Sequence, residues 1–93
     1  MTTEGTPMSA QTRDLRDWLV ARVATYLRRS PQDVDPAVPL AEYGLDSLTA
    51  LAISTDIEDE YDLVLDPALA WDHPTIDALT AVLTGLIEAK ERA

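Results

Sequence analysis

The sequence of 93 residues contains no cysteine and only one histidine, His73. Without cysteine there can be no disulfide, no thiolate metal site and no cysteine nucleophile. A single imidazole leaves too little material for a histidine-based metal cluster, or for a serine nucleophile with its base and orienting partner. The sequence also has no Gly-x-Ser-x-Gly elbow. We therefore expect neither a metal site nor an enzyme.

Positive charge is scarce as well. Seven Lys and Arg stand against 17 Asp and Glu, which gives a formal net charge of −10. Such a chain repels nucleic acid and anionic lipid and attracts basic protein surfaces. No apolar run approaches the roughly 18 residues of a membrane helix, and the first ten residues lack the features of a signal peptide. We expect a cytoplasmic, monomeric protein without nucleic-acid or membrane partners.

Apolar residues recur at helical spacing in long segments. The first segment runs from about Gln11 to Arg29, and its last two arginines suit the negative end of a helix dipole. The second runs from Ser47 to about Tyr61, and the last begins at Pro74. The inward stripe of the second helix is predicted to comprise Leu48, Leu51, Ile53, Ser54, Ile57 and Tyr61.

The remaining segments connect these helices. Residues 30–46 contain prolines and no regular apolar period, which predicts a long ordered loop. Pro67 suits the first turn of a short helix reaching about Trp71. Both Trp18 and Trp71 are predicted to pack in the core, and His73 is predicted to mark a helix boundary. The pattern indicates an all-α, four-helix bundle at residues 11–93, preceded by a flexible tail at residues 1–10.

One motif falls where the loop becomes the second helix. Asp46 is a natural N-cap, so Ser47 would lie in the first turn with its hydroxyl exposed. A phosphate ester on Ser47 would lie beside unsatisfied backbone N–H groups and the positive end of the helix dipole. Taken alone, the same residues could simply cap the helix.

Two separated motifs set this site in a wider context. They are Leu40-Ala41-Glu42-Tyr43-Gly44-Leu45-Asp46-Ser47-Leu48, then an acidic helix, then Trp71-Asp72-His73-Pro74-Thr75. With these motifs, the stretch Pro39–Leu83 resembles the acyl carrier protein family, especially the carrier domains of polyketide synthases. It implies the four-helix carrier bundle, working in polyketide and antibiotic biosynthesis.

The resemblance also implies a cofactor. In this family the serine of the Asp-Ser-Leu motif, here Ser47, is esterified by 4′-phosphopantetheine from coenzyme A. The arm ends in a thiol that holds acyl groups as thioesters, so a chain without cysteine acquires its thiol from the cofactor. By resemblance, Asp46 helps the phosphopantetheinyl transferase to engage, and Leu45 and Leu48 give it apolar contacts. Leu48 could instead pack inward.

The acidic second helix suggests how partners are attracted, and the resemblance implies which partners they are. Asp56, Glu58, Asp59 and Glu60 are predicted to steer basic partners, although each could be an ordinary solvated residue. The partners implied are an acyl-loading enzyme and a ketosynthase or other polyketide synthase enzymes.

Two departures narrow the resemblance. Ala52 stands where fatty acid synthase carriers typically place an acid, and Tyr43-Gly44 replaces the paired glycines of peptide carriers. Both favour the polyketide branch. The alternative to a carrier is a non-catalytic acidic adaptor that binds a basic protein through the second helix.

Overall fold

A computed structural model describes residues 10–92, which form α-helices and short 3₁₀ turns with no strand among them. The helices are α1 at Ala10–Leu27, α2 at Ser47–Tyr61, α3 at Leu69–Asp72 and α4 at Ile76–Arg92. The predicted all-α, four-helix bundle is confirmed. The predicted tail lies outside the described residues, except for Ala10, which is already helical.

The structure moves the boundaries of three helices. α1 ends at Leu27 rather than Arg29, because Arg28 is left-handed with φ 59°. The Arg29 N–H then donates to the Ala24 carbonyl at 2.9 Å, which closes a Schellman-type end without glycine. Both arginines thus lie beyond the helix, and their predicted helical position is wrong.

The later helices both start after the predicted proline. The Asp66 carboxylate accepts the Ala68 N–H at 2.8 Å. Pro67 lies in the turn that this bond closes, so it precedes α3 and is not part of it. Thr75 Oγ1 accepts the Ala78 N–H at 3.0 Å, so Thr75 caps α4, which begins at Ile76 rather than at Pro74. A side-chain acceptor for a backbone N–H sets the start of α4, whereas the N-cap of α3, Ala68, makes no side-chain capping hydrogen bond.

The core lies chiefly between α1 and α4, and α2 and the loop at residues 28–46 close it. Its buried apolar side chains are Leu15, Leu19, Val23, Ala24, Val34, Leu40, Ile53, Ile57, Leu65, Ile76, Leu79, Leu83 and Ile87. Trp18 packs against this core, as predicted, and meets the Tyr61 ring edge-on at 5.5 Å.

The inward stripe predicted for α2 is partly wrong. Ile53 and Ile57 are buried, but Leu48 is 74% exposed and Leu51 is 56% exposed. Leu48 and Ile53 are separated by about 140° around a helix of 3.6 residues per turn, so they cannot share one narrow face. α2 therefore carries large apolar side chains on its solvent face.

The middle of the long loop is held against the start of α4 by two backbone hydrogen bonds. It contains 3₁₀ turns at Pro31–Asp33 and Leu40–Tyr43, with Val34 and Leu40 buried. The Leu40 N–H donates to the Pro74 carbonyl at 2.9 Å, and the Asp77 N–H donates to the Pro36 carbonyl at 3.0 Å. These bonds tie the loop to the start of α4. None of the helices within residues 10–92 is both long and apolar enough to cross a bilayer.

Candidate functional site

The loop enters α2 through a sharp turn. Gly44 directly follows the 3₁₀ turn that ends at Tyr43, and its backbone is left-handed with φ 81°. Asp46 is then extended and caps α2, since its Oδ1 accepts the Thr49 N–H at 2.8 Å. This backbone hydrogen bond holds the pKa of the Asp46 carboxyl below its ordinary value. Asp46 is thus the N-cap that the sequence predicts.

Ser47 is the first residue of α2, and it is exposed. Within the described part of the chain, no group forms a hydrogen bond with its hydroxyl. Leu45 is half-buried on one side of Ser47, and Leu48 projects into solvent on the other. The result is an accessible oxygen at the positive end of a helix dipole, beside one exposed apolar side chain.

The turn before Ser47 is held by an aromatic contact that the sequence pattern did not reveal. The Tyr43 hydroxyl accepts the Asp35 N–H at 2.7 Å, and the Arg29 guanidinium lies 5.4 Å from the Tyr43 ring centroid. The Tyr43 hydroxyl thus links two parts of the loop, which helps to hold the turn before Ser47 in place.

A small apolar cleft lies beside the first turn of α2. Its volume is about 80 Å³, and Leu45, Asp46, Ala50 and Trp71 are among the residues that line it. Trp71 is 70% exposed, so the prediction that it packs in the core is wrong. Because α3 has only four residues, it cannot turn every apolar side chain inward. His73 follows α3 as its C-cap, which agrees with the predicted boundary role.

The four acids predicted to steer partners have different environments. Asp56 Oδ2 accepts the Tyr26 hydroxyl at 2.7 Å and lies 3.7 Å from Arg22 Nη1. Glu58 Oε2 accepts the Leu65 N–H at 2.8 Å and so fixes the segment after α2. Asp59 and Glu60 are exposed. Two of the four carboxylates are therefore engaged in internal contacts, a tertiary detail that periodicity alone cannot predict.

Substitutions at Asp46 separate its capping role from its charge. Asn caps helices about as well as Asp, whereas Ala offers no acceptor. We expect Asp46→Asn to melt close to the unmodified chain and Asp46→Ala to melt at a clearly lower temperature. Thermal unfolding followed by circular dichroism measures the order. Equal melting of the Asn and Ala variants would contradict a capping role for this carboxylate.

Comparison with known proteins gives consistent results. A family profile described as a phosphopantetheine attachment site matches residues 17–83. One phenolphthiocerol/phthiocerol polyketide synthase polypeptide of Mycobacterium tuberculosis is 37% identical over 70 residues, which cover 75% of this chain but only 4% of the synthase.

Two solved structures resemble the chain over most of their length. Acyl carrier protein LipD of Actinoplanes friuliensis is 42% identical with a TM-score of 0.71, and the match covers 96% of this chain and 97% of LipD. A free-standing peptidyl carrier protein of Acinetobacter baumannii is 38% identical with a TM-score of 0.78, over 82% of this chain and 95% of that protein.

Proposed function

Because the chain belongs to the phosphopantetheine-attachment family of carrier proteins, we propose that Ser47 Oγ is the atom that bears 4′-phosphopantetheine. The observation that carries the proposal is the exposed Ser47 hydroxyl, which lies at the start of α2 and forms no hydrogen bond with any group of residues 10–92. The attached arm supplies a thiol on which acyl groups are held as thioesters.

The residues around Ser47 fit this modification. The first N–H groups of a helix lack intrahelical carbonyl partners and favour a nearby phosphodiester anion. Asp46 occupies only one of these donors, that of Thr49, and its carboxylate faces the helix start rather than a buried pocket. We assign Asp46, Leu45 and Leu48 to recognition by the phosphopantetheinyl transferase, which uses coenzyme A as donor.

The chain's part in biosynthesis is to present cargo rather than to transform it. A tethered thiol maintains a high effective concentration of substrate at a partner's active site without a pocket on the carrier. We propose a cytoplasmic, non-catalytic monomer that serves acyl-loading enzymes, ketosynthases and other polyketide enzymes, as its synthase relative suggests.

The acids of α2 contribute to this role unequally. We propose that the exposed Asp59 and Glu60 steer basic partner surfaces, since exposed charge raises association rates without requiring high affinity. Asp56 and Glu58 add to the same negative field while remaining bound within the fold. A carrier must leave each enzyme after delivery, which weak and salt-sensitive attraction permits.

Intact-protein mass spectrometry tests the proposal. After incubation with coenzyme A and a broad-specificity transferase, we expect the unmodified chain to gain the mass of one phosphopantetheine. Ser47→Ala should gain none, while Ser54→Ala, a matched change on the same helix, should still be modified completely. If the unsubstituted chain stays at its original mass, the acidic adaptor becomes the better interpretation.

A further inference from the structure

The first turn of α2 places no fully buried side chain in the core. Ser47 and Leu48 are exposed, and Thr49 and Ala50 are only half-buried. The first fully buried side chain of α2 is that of Ile53. At about 3.6 residues per turn, Ile53 lies more than one turn beyond Ser47. The position of the Ser47 hydroxyl therefore depends on the loop that leads into the helix, as well as on the packing of the helix itself.

The loop before this turn is held at Tyr43. The Tyr43 hydroxyl accepts the Asp35 N–H at 2.7 Å, and the Arg29 guanidinium lies 5.4 Å from the centroid of the same ring. The ring is half-buried and packs against the core. A backbone donor, a cation and apolar side chains thus contact Tyr43 together, and the three contacts restrict both the ring and its hydroxyl.

The donor that binds Tyr43 is itself fixed to the bundle. The Asp35 carboxylate accepts the Ala37 N–H at 2.9 Å, which closes a turn at this point of the loop. Within that turn, the Pro36 carbonyl accepts the Asp77 N–H at 3.0 Å and so ties the turn to α4. The Tyr43 hydroxyl therefore binds a part of the loop that α4 holds in place.

Three residues separate Tyr43 from Ser47, and each of them has a defined conformation or contact. Gly44 is left-handed with φ 81°. Leu45 is half-buried and packs against the core. Asp46 is extended and caps α2. A displacement of Tyr43 would therefore pass along the backbone to Ser47.

The transfer reaction is sensitive to such a displacement. Ser47 Oγ forms a bond to the phosphorus next to the pantetheine of coenzyme A, and the bond from that phosphorus to the nucleotide part breaks. The nucleotide leaves with the electron pair of the broken bond, and the serine proton passes to a base of the transferase. A misplacement of about 1 Å in the reacting geometry can cost on the order of 100-fold in rate.

We propose that Tyr43 is a positioning residue for this transfer. Through its hydroxyl, bound to the Asp35 N–H, it holds the backbone that aims Ser47 Oγ at the phosphorus. The inference rests on the proposed function of Ser47. It assigns a part in the reaction to a hydroxyl outside the Asp-Ser-Leu motif, which apolar packing of the loop alone would not require.

Single-turnover kinetics test the role of this hydroxyl. With coenzyme A saturating and transferase in excess, Tyr43→Phe should lower the maximal rate of modification about fivefold and leave the half-saturating transferase concentration nearly unchanged. Phenylalanine keeps the ring but loses the bond to Asp35. Lys90→Met is the matched control, since Lys90 Nζ donates to the Asp62 carbonyl and carboxylate at 2.6 and 2.7 Å at the opposite end of α2. It should leave the maximal rate unchanged.

Hydrogen exchange followed by NMR distinguishes positioning from a general loss of stability. The Asp35 and Gly44 N–H groups should exchange faster with solvent in the Tyr43→Phe variant than in the Lys90→Met variant. The core amides of Leu19 and Leu83 should exchange at similar rates in the two variants. Equal exchange of the Asp35 and Gly44 amides would show that the hydroxyl does not hold the loop, and it would overturn the positioning role.

The positioning role and the attachment site can fail separately. Every variant should reach the mass of one added phosphopantetheine on long incubation if Ser47 is the attachment site. Equal maximal rates with and without the Tyr43 hydroxyl would overturn the positioning role alone. An equal fall in the Lys90→Met variant, or a change confined to the half-saturating concentration, would do the same. An unsubstituted chain that never gains the added mass would overturn both.

Discussion

Leu83→Ala is expected to lower the free energy of unfolding by about 3 kcal/mol, within the usual range for a buried Leu→Ala change. Leu83 is completely buried on α4, in the layer that meets α1. The substitution removes apolar surface from the core and leaves a cavity that the bundle can fill only in part. Urea unfolding followed by circular dichroism measures the loss.

Leu86→Ala provides the matched control for this experiment. Leu86 lies on the same helix but is 39% exposed. We expect it to cost less than about 1 kcal/mol, because a partly exposed side chain loses little transfer energy and leaves no closed cavity. Similar losses for the two variants would contradict the core described for α1 and α4. A domain of this size has only a few kcal/mol of stability, so Leu83→Ala should partly unfold near physiological temperature.

Gly44→Ala is expected to destabilise the chain by about 1 to 2 kcal/mol, whereas Gly85→Ala is expected to stabilise it by about 0.5 to 1 kcal/mol. A Cβ at either position meets no atom within 4 Å, so sterics with neighbours do not decide the outcome. Gly44 is left-handed with φ 81°, a conformation that L-residues avoid. Gly85 lies inside α4, where alanine is the better helix former.

The two glycine variants can be compared by the same unfolding measurement. Gly44→Ala should also slow modification of Ser47 at temperatures where the chain remains folded, because Gly44 sets the turn that leads through Leu45 to Asp46. Gly85→Ala should leave the modification rate unchanged. A stabilising effect of Gly44→Ala would show that the turn is not left-handed in solution.

The sequence was most informative where local chemistry and apolar pattern agree. The range of α2 was predicted within a residue, because Asp46 is a strong N-cap and Ile53 and Ile57 recur one turn apart. The end of α1 was not predictable, because Arg28 adopts the left-handed conformation without the glycine that usually announces it. α2 also ends at a left-handed residue other than glycine, Asp62, yet its end at Tyr61 was predicted correctly.

Apolar character also failed to show which side chains face solvent. Leu48, Leu51 and Trp71 are apolar enough for the core, yet the structure leaves them exposed around Ser47. Periodicity gives the relative angle of residues on one helix, but the direction of that helix against its neighbours depends on tertiary packing. Exposed apolar residues are expected near a site that other proteins must contact, because such residues form binding surfaces.

The acids of α2 illustrate a second limit. The clustering of acidic residues on α2 indicates a negative surface. The sequence cannot show, however, that the Tyr26 hydroxyl of α1 donates a hydrogen bond to Asp56 of α2. Nor can it show that Glu58 fixes the segment that leads to Leu65. The first contact joins residues 30 apart in the sequence and the second joins residues seven apart, and both change which carboxylates remain available to a partner.

Fragmentation mass spectrometry of the chain after transfer from coenzyme A locates the new phosphodiester directly. We expect fragment ions to place the whole added mass on residue 47 and none on Ser54 or Ser30. An arm attached to another residue, or a chain that stays unmodified while a known carrier in the same tube is modified, would contradict the assignment of Ser47.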